Sequence, residues 1–478
     1  MIRSTRASVA PENVGVTLPH EHILHTIGSI AVSSDASKDQ EILFEDLIDY
    51  RRTPFAHGGR NLMLQKEDEA FRELEKLQQF QHDEAQVLIV DVTLPIEGRG
   101  VLMKERLRLV ERLKGVHFVI VTTFEIERIS DDICITQPIN EASECISKTL
   151  EAELMFGIEK DGVVVFPGAM YQQIHVQREV LSAQEQILVQ GLALVWTLVM
   201  ISISMLYGGI LLLIVLAVCV YLQAQARTHA PLYLSFSLAS EEPLGDMSKL
   251  QQVVRAWIRA LLEAGAEKKK LVVCHVDRWC HGRFEDAGYA FLLELFDLGV
   301  SVLFNMIGLR SVSEVALVNP CLTSVSNSLL PPSEKEWQEP APDSRLIEWL
   351  ARLLKDAPQY LYQVLLSTNV CQRTQYRRYG GGGYAYFFEH FKHRMLHKGV
   401  TAVQWHQIVR TNAVDLLAWY VPPEAPPIPK NYLQCSICGS FFEPVEGEYF
   451  TKFAFTYCGT KCLRRHSRQQ FASPPTKT

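Results

Sequence analysis

Short runs of β-branched and apolar residues alternate with longer amphipathic stretches along most of the chain. The runs predict strands, and the stretches between them place apolar residues three and four positions apart, as helices do. Eight strands separated by helices are what an α/β barrel of the (β/α)8 TIM type requires. We therefore predict this barrel, with an open doubly wound sheet as the competing architecture. The predicted strands are Val14–His22, Val87–Val92, His117–Thr123, Gly162–Phe166, Pro231–Phe236, Leu271–His275, Ser301–Phe304 and Val364–Asn369.

One long apolar stretch interrupts this alternation. Residues 186–226 contain no Asp, Glu, Lys, Arg or His over 41 positions, and more than about 18 consecutive apolar residues is typical of a membrane-spanning helix. A single span would put the first four strands and the last four on opposite sides of a membrane, whereas a hairpin would not. Three interpretations stay open: translated non-coding sequence, a membrane hairpin that makes the protein a membrane-tethered adaptor, or a buried helix.

The remaining boundaries follow from composition. We predict a barrel in two parts, 1–186 and 227–420, separated by the apolar insert 187–226. A proline-rich linker, 421–430, favours extended geometry and acts as a spacer. A small cysteine-containing module, 431–470, and a polar tail, 471–478, complete the chain.

Composition narrows the class of protein. The 478 residues include 47 Lys+Arg and 54 Asp+Glu, a net charge of −7, which argues against a general binder of nucleic acid or anionic membranes. No apolar stretch follows the N-terminal Met1, so we expect no cleaved secretory signal. The 11 cysteines show no pairing pattern, which favours a reducing compartment. We expect a cytoplasmic protein, membrane-associated if the apolar insert is real.

Four cysteines near the C-terminus have the spacing of a zinc site. Cys435 and Cys438 are followed after 19 residues by Cys458 and Cys462, and two close thiolate pairs can complete a tetrahedral zinc shell that stabilises a small module. The spacing resembles treble-clef zinc modules, which act as appended interaction domains, so we expect an unidentified protein partner here. The basic run after it is more typical of a solvated helix face than of a nucleic-acid contact; it comprises Lys461, Arg464, Arg465, His466 and Arg468.

A second candidate metal site lies on the first predicted strand. His20 and His22 are two residues apart, so on a strand both side chains point to the same face. The carboxyl ends of the strands are where TIM barrels place catalysis. This His-x-His pair therefore predicts metal ligands, although the same pattern also occurs by chance.

Several stretches of the chain resemble the phosphotriesterase-related branch of the amidohydrolases. The resemblance covers about residues 10–420 without the insert. It is carried by Gly15-Val16-Thr17-Leu18-Pro19-His20-Glu21-His22, Val90-Asp91-Val92-Thr93, Glu97-Gly98-Arg99, His275-Val276-Asp277-Arg278, Leu366-Ser367-Thr368-Asn369-Val370-Cys371, Tyr379-Gly380-Gly381-Gly382-Gly383-Tyr384 and Gly399-Val400.

This resemblance implies a barrel with two divalent metals, usually zinc, that activate a hydroxide to hydrolyse esters or lactones. It implies as ligands a His-x-His pair on strand one, a bridging carboxylate or modified lysine on strand four, histidines on strands five and six, and an aspartate on strand eight. His20, His22 and His275 match. At the other three positions the alignment gives Phe166, Ser235 and Asn369.

These departures predict an eroded metal centre. Without the bridging anion, two dications a few ångströms apart repel each other strongly, and asparagine cannot act as a general base. We expect a hydrolase by descent with weak or no activity, a pseudoenzyme that works as a binding or scaffold protein, and we assign no catalytic residue. The alternative is an active mononuclear zinc hydrolase that uses His20, His22 and His275 on a small ester-like ligand, since three histidines can hold catalytic zinc.

Overall fold

The structure is a computed structural model of the chain, and it divides into two compact units, residues 1–420 and 421–478. The first unit contains the predicted barrel, and the second contains the predicted cysteine module. The structure describes residues 1–27, 41–52, 58–81, 85–126, 139–176, 181–197, 228–238, 247–279, 285–308, 342–421, 432–438, 441–445, 447 and 449–468.

The large unit is built on eight parallel strands that neighbour one another in chain order. A short antiparallel hairpin, β1 (Ile2–Arg3) and β2 (Ser8–Val9), precedes them. This order and direction confirm the predicted barrel and exclude the open doubly wound sheet. The barrel strands are β3 (Val14–Glu21), β4 (Gln86–Asp91), β5 (Val116–Thr122), β8 (Pro167–Val176), β9 (Leu232–Leu238), β10 (Leu271–Cys274), β11 (Ser301–Phe304) and β12 (Val364–Leu366).

Side chains close the seam between the first barrel strand and the last. The Glu21 carboxylate, at the end of β3, accepts hydrogen bonds from Ser367 Oγ at 2.6 Å and from the backbone N–H groups of Thr368 and Val370 at 2.8 Å each. Thr368 Oγ1 donates a fourth bond at 2.8 Å. One buried carboxylate therefore joins the end of β3 to the chain just beyond β12.

The fourth barrel strand is not where the sequence pattern predicted it. The predicted strand Gly162–Phe166 instead contributes β7 (Val163–Val165), which forms an antiparallel hairpin with β6 (Ile158–Lys160) outside the barrel sheet. Its valines face both ways, since Val165 is buried whereas Val164 is 48% exposed. The barrel strand is β8, which begins at Pro167 beside Ile120 of β5.

Helices cover the outside of the barrel strands, as the amphipathic stretches predicted. Within the described residues, the α-helices of the large unit are α1 (Leu47–Arg52), α2 (Gly58–Asn61), α3 (Glu67–Leu74), α4 (Met103–Arg112), α5 (Ile139–Phe156), α6 (Ala183–Thr197), α7 (Met247–Glu263), α8 (Glu285–Leu298), α9 (Asp343–Asp356), α10 (Lys392–His397), α11 (Ala402–His406) and α12 (Asn412–Leu417). Two π-helical turns, Phe387–Phe391 and Gln407–Thr411, continue into α10 and α12. The 3₁₀ turns in the same described ranges are Pro11–Asn13, Glu75–Phe80, Lys268–Lys270, Val276–Trp279, Pro358–Gln363, Arg373–Gln375 and Arg377–Tyr379.

The core has an inner and an outer layer because strand side chains alternate between two faces. On β4, Leu88 and Val90 belong to the inner cluster, whereas Val87 and Ile89 belong to the outer one beneath the helices. The inner cluster also takes large side chains such as Tyr171 and Tyr233. The barrel interior is therefore packed, and polar groups lie at its carboxyl end.

The first part of the predicted apolar insert is a barrel helix. Residues 187–197 lie in α6, where Leu188, Leu192 and Ala193 are buried in the outer core cluster. Among the described residues, no helix is long and apolar enough to cross a membrane. Residues 198–227, which hold the rest of the predicted insert and on which the membrane-tethered adaptor depends, lie outside the described residues.

In the residues of the small unit that the structure describes, the chain forms two hairpins and one helix. The first hairpin pairs β13 (Leu433–Gln434) with β14 (Phe441–Phe442), and the second pairs β15 (Phe450–Lys452) with β16 (Phe455–Tyr457). The helix is α13 (Thr460–Arg468). So few elements bury little apolar surface, and a module of this size needs another source of stability.

Candidate metal centres

The four cysteines predicted as zinc ligands converge in the small unit. One ligand atom from each of Cys435, Cys438, Cys458 and Cys462 lies within 4.8 Å of all the others. Sγ of Cys458 is 3.6 Å from Sγ of Cys438 and 3.7 Å from Sγ of Cys462. A tetrahedral zinc with Zn–S bonds of about 2.3 Å separates its sulfurs by about 3.8 Å. The four thiols therefore fit a structural zinc ion.

Backbone geometry brings these cysteines together. Cys435 and Cys438 occupy the turn after β13, Cys458 follows β16, and Cys462 lies in the first turn of α13. Burial raises the pKa of Cys435, but backbone N–H groups of Cys438, Cys458 and Ile437 outweigh that effect and lower it overall. These N–H groups favour the thiolate that a metal needs.

The barrel histidines meet at the carboxyl ends of their strands. His20 lies in β3 and His22 just after it, and His275 directly follows β10. The ring centroids of His20 and His275 are 4.9 Å apart, and those of His20 and His22 are 6.0 Å apart. His275 has a left-handed φ of 59°, a backbone strain that occurs more often at functional sites than elsewhere.

All three imidazoles are held neutral. Burial lowers the pKa of His20 to about 3, although its own backbone and the neighbouring Asn369 side chain oppose the shift. Burial also lowers the pKa of His22 and of His275 well below the usual value, and the repulsion that would arise between two protonated histidines so close together lowers it further. Neutral imidazole is the form that binds metal. Among the residues that the structure describes, neither ring nitrogen of His20 has a hydrogen-bond partner of normal geometry.

A buried polar network orients His22. Thr93 Oγ1 donates its proton to Asp91 Oδ1 at 2.6 Å, so at the 3.3 Å contact between His22 Nδ1 and Thr93 Oγ1 the histidine is the donor. Asp91 Oδ2 in turn accepts from Arg106 Nε at 2.7 Å, and both side chains are fully buried. Glu97 lies 3.9 Å from the same Nδ1. The proton on Nδ1 leaves Nε2 as the nitrogen with the lone pair.

The three positions that depart from the resemblance are placed as follows. Ser235 on β9 and Asn369 beyond β12 are fully buried, and their side-chain polar atoms make no hydrogen bond of normal geometry to any part of the chain that the structure describes. Phe166 was assigned wrongly, because it precedes β8 and its ring lies 4.4 Å from the Arg3 guanidinium. On β8 the side chain beside the histidines is Tyr171, whose ring centroid is 5.6 Å from that of His20.

Within the described ranges, the Cys435 group is the one set of three or more His, Cys, Asp or Glu residues whose ligand atoms lie within 4.8 Å of one another. His20, His22 and His275 are neighbours, but they do not meet that distance as a set. The barrel therefore lacks a preformed three-ligand site in the part of the chain that the structure describes, and metal binding by these histidines stays a prediction.

One protein-family model matches part of each unit. Residues 218–417 match the phosphotriesterase family, and residues 430–474 match the Vms1-associating treble clef domain. A phosphotriesterase-related protein of Nematostella vectensis is 22% identical over 86% of this chain and 97% of its own length. The N-acetyltaurine hydrolase of Rattus norvegicus is 21% identical over 87% of this chain and 98% of its own length. The large unit is phosphotriesterase-like.

Solved structures agree on the fold of this phosphotriesterase-like barrel. A resiniferatoxin-binding protein from Rhodobacter sphaeroides has a TM-score of 0.56 at 18% identity, covering 87% of this chain and 94% of that one. A lactonase from Listeria monocytogenes has a TM-score of 0.52 at 15% identity, covering 88% and 99%. At these identities the likeness shows the fold alone, and the residues themselves must carry any argument about activity.

Several residues of the phosphotriesterase-like site were not predicted from the sequence. Asp91 and Thr93 belong to a motif of the resemblance, but no role was predicted for either, and Arg106 and Tyr171 were missed altogether. An arginine among the apolar positions of α4 was an available signal for Arg106. Tyr171 could not be found while the wrong segment was taken as the fourth strand.

Proposed function

We propose that this phosphotriesterase-like protein has lost the binuclear metal centre of a hydrolase, has weak or no hydrolytic activity, and works as a binding or scaffold protein through its C-terminal zinc module. One observation carries the proposal. Tyr171 of β8 and Asn369 beyond β12 lie beside His20. Ser235 takes the position on β9 where the resemblance implies a histidine, and none of these three side chains is a carboxylate, a lysine or a histidine.

The charge of these side chains is the physical reason. Two dications close together in a buried pocket repel each other strongly unless an anion lies between them. Hydroxyl and amide groups can offer weak neutral ligands, but they bring no charge to offset that repulsion. The buried histidines are neutral as well, so neither they nor the three side chains above supply the negative charge that a second metal needs.

The zinc module supports the second half of the proposal. Four thiols at zinc-like separations fit a structural ion, which closes its coordination shell and leaves no position for a substrate. A module stabilised in this way can present a surface to a protein partner. Free thiolates persist in a reducing compartment, so the proposal places the protein in the cytoplasm.

The test is zinc per chain and hydrolysis, measured on the intact protein. We expect one zinc per chain, unchanged in the variant His22→Ala/His275→Ala and lost in Cys435→Ser/Cys438→Ser. Hydrolysis of aryl esters, lactones and N-acyl amino acids should match that of the histidine variant. A second zinc that disappears with the histidines, together with hydrolysis that disappears with them, would overturn the proposal.

A second candidate is a mononuclear zinc hydrolase that uses His20, His22 and His275. The specific observation in its favour is the network from His22 through Thr93 to Asp91, because metal-binding histidines usually donate their other N–H to a fixed acceptor. A single zinc held in this way would require the three rings to move closer together, since their ligand atoms do not lie within 4.8 Å of one another as a set. The names of the relatives suggest amides such as N-acetyltaurine as its substrates, and the same zinc measurement decides between the two candidates.

A further inference from the structure

One face of the helix in the zinc module is uniformly basic. The four residues concerned are spaced i, i+3, i+4 and i+7, so they form one stripe along α13, and all four are exposed. No ion pair or side-chain hydrogen bond to them is present within the described part of the chain. This basic face consists of Lys461, Arg464, Arg465 and Arg468.

The opposite face of α13 is fixed to the module. Cys462 belongs to the zinc-ligand group, and His466 is fully buried with its Nδ1 2.9 Å from Tyr457 Oη. The Phe455 ring meets the His466 ring edge-on at 4.7 Å between centroids. Because the cysteine group and the buried side chains fix the other face of the helix, the basic face is presented in one orientation.

An exposed aromatic side chain lies at the tip of the adjoining hairpin. Phe453 is 77% exposed and has a left-handed φ of 57°, which is unusual for a large side chain. Its neighbour Lys452 pairs with Phe455, the residue that touches His466. The hairpin that carries Phe453 therefore packs against α13, and its tip exposes an apolar group in the same small unit as the basic face.

We propose that the basic face and Phe453 together bind an acidic peptide segment of a partner protein that carries at least one apolar side chain. This inference rests on the proposed protein-binding role of the module and adds the chemistry of the partner. The stripe spans about 10 Å at 1.5 Å per residue, which matches about three residues of extended chain. Acidic side chains distributed over such a length of extended peptide would lie opposite the positive charges of the basic face.

Charge and apolar exposure favour a peptide over nucleic acid. The whole chain carries a net charge of −7, which opposes a long polyanion whose field extends beyond one helix. Phe453 and Val445, which is 47% exposed, also offer contacts for apolar groups. A peptide can present apolar side chains together with carboxylates. An oligonucleotide serves as the competing occupant in the test.

The experiment uses the full zinc-loaded chain and a fluorescein-labelled peptide of about twelve residues that repeats Glu-Asp-Leu, read by fluorescence anisotropy. We expect binding that weakens with added salt and is absent for a Gln-Asn-Leu peptide. Arg464→Gln/Arg465→Gln should lower affinity about fivefold or more, as expected for the loss of two rim charges. Phe453→Asn should also lower it, and asparagine tolerates the left-handed backbone.

The matched control is Lys268→Gln/Lys269→Gln, which removes the same charge from two exposed lysines of the barrel and should leave affinity unchanged. Zinc content checks that each variant is folded, and Arg468→Gln replaces the double variant if that one loses zinc. No binding, equal loss in the control, or tighter binding of a single-stranded oligonucleotide of similar length would each overturn the inference. None of these results alters the barrel zinc measurement, so the two proposals fail separately.

Discussion

Replacing Asp91 by asparagine tests the buried ion pair of the barrel. Asp91 and Arg106 are both fully buried, and besides the bond to Asp91 Oδ2 the guanidinium donates to the backbone carbonyls of Arg99, at 2.9 Å, and Leu24. Asparagine keeps the oxygen that accepts from Thr93 but turns an N–H group toward Arg106. The substitution therefore leaves a buried cation without a counter-charge.

Breaking a buried pair in this way costs about 3–5 kcal/mol. The assay is the free energy of unfolding of the intact zinc-loaded protein in urea, followed by circular dichroism. Asp356→Asn is the matched control, because Asp356 pairs with Arg352 at 3.6 Å with more than half of each side chain exposed. An exposed i,i+4 pair contributes at most about 0.5 kcal/mol. Equal costs for the two substitutions would refute the assignment of a buried, paired Arg106.

Three further predictions concern other parts of the chain. Burial raises the pKa of Glu21 to about 7 from 4.5, so its contribution to stability is present below about pH 4.5 and is lost as the pH rises through 7. In urea titrations at several pH values, the difference in unfolding free energy between the unsubstituted protein and Glu21→Gln should therefore shrink between pH 5 and 8. A constant difference would contradict this. Cys458→Ser, or chelation of zinc, should unfold the small unit and leave the barrel melting transition in place, as measured by calorimetry; a shifted barrel transition would argue against separate units. Gly288→Ala should cost about 2 kcal/mol or more, because its Cβ would lie 1.9 Å from the carbonyl oxygen of Trp279, whereas Gly100→Ala, with nothing nearer than 3.8 Å, should be close to neutral in the same denaturation assay.

The features that depend on local pattern could be predicted from the sequence. Strands such as β4 and β10 are continuous apolar runs that are buried on both faces, and such runs are typical of parallel strands. The zinc group could be predicted because its ligands lie on two short segments with fixed spacing. His20 and His22 share a face for the same local reason.

The fourth strand could not be predicted, because local pattern and tertiary pairing disagree there. The valines of β7 have the stronger strand pattern, yet they pair with β6 outside the barrel. The true strand, β8, begins Pro167-Gly168 and contains Gln172 and Gln173, residues that favour loops or solvent. This segment forms a strand because it pairs with β5 and β9. Since that pairing could not be predicted from the local sequence, the position of Tyr171 beside His20 could not be predicted either.

Glu21 also constrains how this protein can be made. Its carboxylate is buried, and its side-chain partner Ser367 is 346 positions away along the chain. At about 5–20 residues per second of synthesis, roughly 17–70 s pass between the synthesis of Glu21 and that of the segment that donates hydrogen bonds to it. Until then the N-terminal half has an unclosed, apolar sheet edge, so nascent chains should depend on chaperones that cover strand edges.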